Sequence, residues 1–254
     1  MNRAFQLLIC CLVIFGSFSD LSTSVHGSDE LTSRLNTVKA RREQLAQLLT
    51  GREQSQTAGD RTALLQLSNQ ISQLYLKLYE LDAALTESRG SLEIARSLGD
   101  EKLLIDTLTL AARIHIDRTE SPTALLLAKE ALLRSRDLGY RYGEAQSQLR
   151  IAEAYFELDE RADAAASNDQ AIAIWQELQE KRGEGLSRVM QGDLLMMDNK
   201  PEEASVAFKK AEANWRELGE PVELATALGR AVLGVTGDPQ AVAGDEHVVG
   251  ALAP

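Results

Sequence analysis

The sequence predicts an all-α solenoid, in which pairs of helices stack one behind another. Two observations on its 254 residues carry this prediction: a pattern recurs every 40 residues, and within each copy apolar side chains recur at intervals of three and four. The third observation is composition, because five prolines and 5% aromatic residues suit a helix-rich chain better than a sandwich of many short strands.

Composition also indicates a folded, acidic protein. The chain has 44% hydrophobic and 26% charged residues, and its formal net charge is −11. Binding to a nucleic-acid backbone requires clustered lysine and arginine that replace counterions. We therefore expect protein or peptide partners and no nucleic acid.

Residues 1–27 have the layout of a secretory signal peptide. Arg3 gives a positive start, an uncharged apolar run covers residues 7–15, and small or polar residues follow it. We expect cleavage after Ser24 or Gly27 and a periplasmic or secreted mature chain that does not contact the membrane; an uncleaved N-terminal anchor is the alternative. Both cysteines of the chain lie in this segment, so the mature protein has no thiol for a disulfide, a metal site or a nucleophile.

Residues 28–60 and the segment after them predict a hairpin of two long helices. One apolar stripe runs from Leu31 to Leu49, and a second runs from Leu64 to Leu81 in steps of three and four. This heptad spacing fits a hairpin that caps the solenoid, or a coil with a second copy that forms a homodimer through residues 28–85. The polar stretch Gly51 to Asp60 predicts a flexible loop between the helices.

The 40-residue repeat is visible in several independent columns. A Leu-Gly step ends three of the copies and Leu178-Gln179 ends the other, and we expect these glycines in left-handed backbone at helix ends. Small residues recur where two helices should cross closely. Ser121 before Pro122 predicts a helix N-cap, and Asn199-Lys200-Pro201 predicts a similar start. The columns are Gly99, Gly139 and Gly219; Ala84, Ala124, Ala164 and Ala204; Ala131, Ala171 and Ala211; and Ala112, Ala152 and Gly192.

The middle copy resembles the tetratricopeptide repeat (TPR). It supplies Ile151-Ala152, Tyr155, Ala164 and Ala171, with Asn168 where the family has phenylalanine. Its 40-residue length, against the family's roughly 34, is similar to the long repeats of kinesin light chains and bacterial signalling proteins. The resemblance implies a right-handed α-α superhelix. Its segments would be repeats at 101–140, 141–180 and 181–220, a degenerate repeat at 61–100, and a capping helix with a frayed tail at 221–254.

The resemblance also implies where a partner would bind. In TPR proteins the first helix of each repeat, helix A, lines a concave groove for a protein or peptide. Phe156 and Met196 would form its apolar anchor point, with Arg150 at the rim; the alternative is that the apolar groove residues belong to the core. The carboxylate clamp of the family's chaperone-binding members is not matched. Carried over by column, the groove residues are Thr109, Arg113, Ile116, Leu149, Arg150, Glu153, Phe156, Val189, Met190, Asp193 and Met196.

No pattern in the sequence indicates catalysis. Common catalytic and nucleotide-binding motifs are missing, His115 occupies an aromatic packing column, and His247 lies beside two acidic residues in the tail. We predict no catalytic residue, no cofactor and no metal site. The expected function is that of an exported scaffold or adaptor. The alternatives are a structural or assembly subunit of an envelope complex that uses the N-terminal coil and the convex face, and a metal-dependent sensor or enzyme.

Overall fold

A computed structural model describes residues 23–220, with side chains from residue 35 onward. The predicted capping helix after residue 220 and most of the predicted signal peptide lie outside this range. Between residues 23 and 220, no helix combines the length and the apolar content needed to cross a bilayer. The helices of the described part are α1 (Thr23–Ala58), α2 (Arg61–Lys77), α3 (Leu81–Leu98), α4 (Glu101–Asp117), α5 (Ser121–Leu138), α6 (Arg141–Glu157), α7 (Arg161–Leu178), α8 (Lys181–Met197) and α9 (Pro201–Leu218).

The helices after α1 form four pairs, each made of an A helix (α2, α4, α6 or α8) and the B helix that follows it. Each A helix packs against its own B helix and also against the next A helix along the chain. Because the A helices approach one another directly, they lie on the inner side of the curved stack and form its concave face. This arrangement confirms the predicted all-α helical-repeat superhelix.

Each turn between these helices passes through one residue with left-handed backbone, and these residues recur every 20 positions. Glycines occupy most turns from a B helix to the next A helix, with φ between 67° and 74° in the cases predicted, and Gln179 takes the same conformation at φ 55°. Two similar reversals in every 40 residues give each helix pair the same orientation. The left-handed turn residues are Gly59, Tyr79, Gly99, Thr119, Gly139, Asp159, Gln179, Asn199 and Gly219.

The predicted small-residue columns lie at the helix crossings. Every alanine of the column that contains Ala164 is fully buried, and so is every alanine of the column that contains Ala171. At Gly192 a Cβ atom would come within 2.2 Å of the Phe208 ring. Larger side chains cannot fit at these points without separating the helix axes, which explains why the sequence repeats them.

The helix starts differ by one residue from the prediction at Ser121. Glu120 is the residue before α5, and Ser121 is a buried residue in the first turn with no capping hydrogen bond from Glu120. The amide N–H of Glu120 donates to the carbonyl of His115 at 2.8 Å and so closes the preceding turn. Because this turn bond fixes the end of the reversal at Glu120, the helix begins one position earlier than the Ser-Pro pattern indicates. Pro201 begins α9 as predicted, after Lys200.

The predicted flexible loop from Gly51 to Asp60 is wrong, because α1 continues to Ala58. A Cβ at Gly51 would lie 3.6 Å from Leu67, so the stretch packs on α2, and Arg52 forms an ion pair with Glu87. This packing overrides the polar composition that suggested a loop. The hairpin itself is confirmed, since Leu45, Ile71 and Leu74 of the two helices share one buried cluster.

Candidate functional site

The concave face carries a pocket of about 340 Å³ that spans three successive A helices. Its walls come from α2, α4 and α6, so residues some 80 positions apart in sequence meet in one site. The lining residues are Gln73, Asp106, Thr109, Leu110, Arg113, Tyr142, Gln146 and Arg150. A pocket of this size on an inner face is the kind of surface that binds a ligand segment.

Two arginines and two acidic residues form a charged network along this pocket. Arg113 donates through Nε to the Asp117 carboxylate at 3.1 Å, and through Nη1 to Glu153 at 3.5 Å in the next A helix. Arg150 donates to the other oxygen of Glu153. Glu153 therefore holds the two guanidinium groups side by side across the junction between two repeats.

The two guanidinium groups differ in electrostatic environment. Burial is the main cause that lowers the pKa of Arg150, and the nearby charge of Arg113 lowers it further, while Glu153 opposes both. The charge of Glu153 instead raises the pKa of Arg113. The Arg150 side chain is 11% exposed, and among the residues that the structure describes it donates one hydrogen bond, to Glu153. Its remaining N–H donors are available to an acceptor in the pocket that it lines.

The other end of the pocket has an aromatic wall and amide groups. The ring centroids of Tyr142 and Trp175 lie 5.1 Å apart in an edge-on arrangement, and Tyr142 is 37% exposed. The Thr109 hydroxyl donates to Gln146 at 3.2 Å. Asp106 accepts a hydrogen bond from the Tyr140 hydroxyl, and burial raises the pKa of its carboxyl group. This end offers an aromatic surface together with both hydrogen-bond donors and acceptors.

The structure brings four of the predicted groove residues together and moves others into the core. Thr109, Arg113, Arg150 and Glu153 lie at the pocket. Ile116 and Leu149 are 0% and 1% exposed and pack in two buried clusters, so their assignment to the groove surface is wrong. Their side chains leave the helix toward the neighbouring B helix, where alanines of the small-residue columns make room.

The predicted groove residues of α8 and the end of α6 form a second part of the A-helix surface. Val189 packs against Ala204 and Phe208 of α9 and belongs to the helix interface. Phe156, Met190 and Asp193 are half-buried, and Met196 is 38% exposed. The role of these side chains as an apolar anchor point stays a prediction.

Column reasoning can find pocket residues that motif reasoning missed. Gln73 occupies the same column as Arg113, and Leu110 occupies the same column as Arg150. Extending each predicted groove column by 40 residues in both directions therefore reaches both. Tyr142 gives no comparable signal, because its column holds unlike residues in the other repeats.

The predicted packing residue His115 contacts an acidic side chain. His115 Nδ1 lies 2.6 Å from Glu120 Oε2, next to the turn that joins α4 and α5. No group of three or more histidine, cysteine or acidic residues within residues 23–220 is arranged to hold a metal ion. His247 lies outside the described residues.

Comparison with known proteins supports the fold. No protein-family model and no curated protein matches the sequence. Among solved structures, the chain is similar to BtubC (BKLC) from P. vanneervenii, with 19% identity and a TM-score of 0.64 over 84% of this chain and 91% of that one. It is also similar to a Podosopora anserina kinesin light chain of nearly identical TPR-like repeats, with 15% identity and a TM-score of 0.53 over 74% of this chain and 91% of that one.

A third similar structure is a Rap protein in complex with Competence and Sporulation Factor. It shares 14% identity and a TM-score of 0.72 over 82% of this chain, but this chain spans only 58% of that protein. At these identities the similarity concerns the fold. The chain is a TPR-like helical repeat protein, as its 40-residue pattern predicted.

Proposed function

We propose that this protein is an exported interaction scaffold that binds a peptide segment of a partner protein along its concave face. The observation that carries the proposal is the pocket built by three successive A helices. It combines two arginines, amide side chains and an aromatic wall in one pocket. Such a surface can hold an extended chain through main-chain and side-chain contacts together.

The charges of the pocket favour a particular kind of segment. Glu153 pairs with both Arg113 and Arg150, so an acidic residue of the ligand would bind the Arg150 donors that Glu153 leaves unoccupied. Phe156 and Met196, further along the A helices, supply apolar surface for an anchor residue. We therefore propose a segment with one apolar anchor and an acidic flank.

The TPR-like neighbours support a role in protein interaction. One of them was solved with Competence and Sporulation Factor bound, and this is a property of that Rap protein.

The proposal for export rests on the first 27 residues of the sequence alone. Mass spectrometry of protein from its own host should show a mature N-terminus between about Asp20 and Ser28, and an intact Met1 on a soluble cytoplasmic species would end that part of the proposal.

The groove proposal is tested by crosslinking in the source cell, capture of the partner and measurement of its affinity for variants. We expect Phe156→Ala combined with Met196→Ala to weaken binding at least about tenfold, or about 1.4 kcal/mol. The matched control is Leu218→Ala at the end of α9, which removes a side chain that is 40% exposed outside the groove. Normal binding by the double variant would exclude this part of the groove, and unfolding would assign both side chains to the core.

A second candidate function uses the convex face. Leu126 and Leu133 of α5 are 72% and 63% exposed and lie seven residues apart, on one side of the helix. They suit a structural or assembly subunit that packs through its B helices. Loss of the captured partner with Leu126→Asp, combined with normal capture by the groove variant, would favour this function over peptide binding.

A further inference from the structure

The pocket on the concave face has opposite charges at its two ends. Its charged lining residues are Asp106, near the start of an A helix, and Arg113 and Arg150, nearer the helix ends. Arg113 and Glu153 are 40 positions apart and meet at 3.5 Å, so residues of one column face each other across α4 and α6. Asp106 therefore lies level with Gln146, and Arg150 lies four residues, or about 6 Å, further along the helix axis.

Asp106 forms no ion pair with any residue that the structure describes. It accepts a hydrogen bond from the neutral hydroxyl group of Tyr140 at 3.2 Å. Lys102, one helical turn earlier, holds its ammonium group over the Tyr140 ring, 5.1 Å from the centroid. Burial raises the pKa of the Asp106 carboxyl group, and the charge of Lys102 is too weak to reverse this effect. The fold therefore compensates the charge of Asp106 only in part.

Arg150, at the other end of the pocket, is also compensated only in part. Its partner Glu153 is shared with Arg113. Burial remains the main cause that lowers the pKa of Arg150. The N–H donors that Glu153 leaves unoccupied belong to a side chain that lines the pocket. Each end of the pocket therefore holds a charge that a bound group of opposite sign would stabilise.

Tyr142 adds a surface for a cation beside Asp106. Burial is the main cause that raises the pKa of Tyr142, and the charge of Asp106 adds a smaller contribution, so the two groups lie near each other. Arg182 of α8 also acts on Tyr142, but it is paired with Glu220. An ammonium or guanidinium group can bind a carboxylate and the face of an aromatic ring at the same time.

We propose that the segment bound in this pocket carries a basic and an acidic residue two positions apart, the basic one between Asp106 and Tyr142 and the acidic one at Arg150. In an extended segment, side chains two positions apart point to the same face and lie about 6.7 Å apart. This spacing matches the offset of about 6 Å between Asp106 and Arg150 along the helix axis. Adjacent residues would point to opposite faces, and residues four apart would be separated by about 13 Å. The inference rests on the proposed function and adds a charge pattern to it.

Selection of peptides from a phage library of random dodecapeptides on the full chain tests the proposal. We expect enrichment of sequences that have lysine or arginine two positions from aspartate or glutamate. Asp106→Asn keeps an oxygen for the Tyr140 hydroxyl group but removes the charge, so the basic residue should no longer be enriched while the acidic residue persists. The matched control is Asp137→Asn, which removes the same charge from an exposed site on α5 and should leave the pattern unchanged.

The affinity of one selected peptide, measured by fluorescence anisotropy, tests the contact itself. Replacement of the peptide's basic residue by norleucine and the Asp106→Asn change in the protein should each weaken binding at least about fivefold. The two changes together should weaken binding no further than either one alone, because both remove the same contact.

The possible results separate this inference from the proposed function. Enrichment of an acidic residue without a basic residue two positions away would overturn the inference and leave peptide binding intact. A basic residue that stays enriched on the Asp106→Asn variant, or additive effects of the two changes on affinity, would overturn the assignment of Asp106. No enrichment over an uncoated surface would overturn both the inference and the proposed peptide binding.

Discussion

At the residue scale, the buried alanines set the distance between helices. Ala164 of α7 is fully buried at a helix crossing, whereas Ala166, two residues later on the same helix, is exposed. We expect Ala164→Leu to overpack the crossing and lower the free energy of unfolding by roughly 1–3 kcal/mol. Ala166→Leu should change it by about 0.5 kcal/mol or less. Urea denaturation of both variants provides the measurement, and equal effects would show that the column register is wrong.

Asn168 is a polar residue at a buried position where the family pattern has an aromatic one. It occupies the place of the family's phenylalanine and is 1% exposed. Its side-chain amide donates to the carbonyl of Ser187 in α8 at 2.9 Å, which joins this B helix to the next A helix. The carbonyl of Ser187 satisfies the side-chain NH2 group, whereas the buried Oδ1 atom of Asn168 has no hydrogen-bond partner in the described part of the chain.

At the element scale, the left-handed residue in the turn after a B helix is glycine in most repeats but glutamine after α7. Gln179 holds φ 55° after α7, where Gly139 and Gly219 follow α5 and α9. Left-handed backbone destabilises the folded state by about 1–2 kcal/mol when the residue has a Cβ. Glycine avoids this cost, but it lowers the free energy of unfolding by about 0.4–1 kcal/mol because it gives the unfolded chain more conformations. We therefore expect Gln179→Gly to raise the free energy of unfolding by about 0.5–1 kcal/mol and Gly139→Gln to lower it by a similar amount. Thermal unfolding that ranks the two variants in the opposite order would contradict this account.

At the scale of the whole molecule, ion pairs join neighbouring helices along the solenoid. Glu144 of α6 binds Arg136 of α5 and Arg141 of its own helix. Burial alone would raise the pKa of Glu144, but its bonds to the two arginines lower the pKa below its ordinary value of 4.5. A carboxyl group whose pKa is lower in the folded state stabilises the fold above its unfolded pKa.

The stability of the molecule should therefore fall as the pH decreases below about 4.5, through the lowered pKa of Glu144. Glu120, whose pKa is lowered by its bonds to His115 and Arg118, acts in the same direction. Denaturation curves at several pH values provide the measurement. Glu144→Gln should make the dependence shallower, and a variant as pH-sensitive as the wild type would show that other groups control it.

The sequence by itself determined the helix pairs, their 40-residue period, most of the left-handed turns and the small-residue crossings. These features depend on local backbone preference and on side-chain size, both of which each repeat carries in its own residues. For this reason the sequence predicts Gly139 at a left-handed turn and Ala164 at a helix crossing. It also predicts the two arginines of the pocket, because their column positions on helix A place Arg113 and Arg150 on the inner face.

Only the tertiary structure decided which side chains the neighbouring helices cover. The stretch Gly51 to Ala58 is helical because α2 packs beside it, although its polar composition suggests a loop. Ile116 and Leu149 belong to the core because B-helix alanines leave space for them. The pocket with Tyr142 exists because three A helices approach one another, and contacts between residues distant along the chain are not encoded in any single repeat.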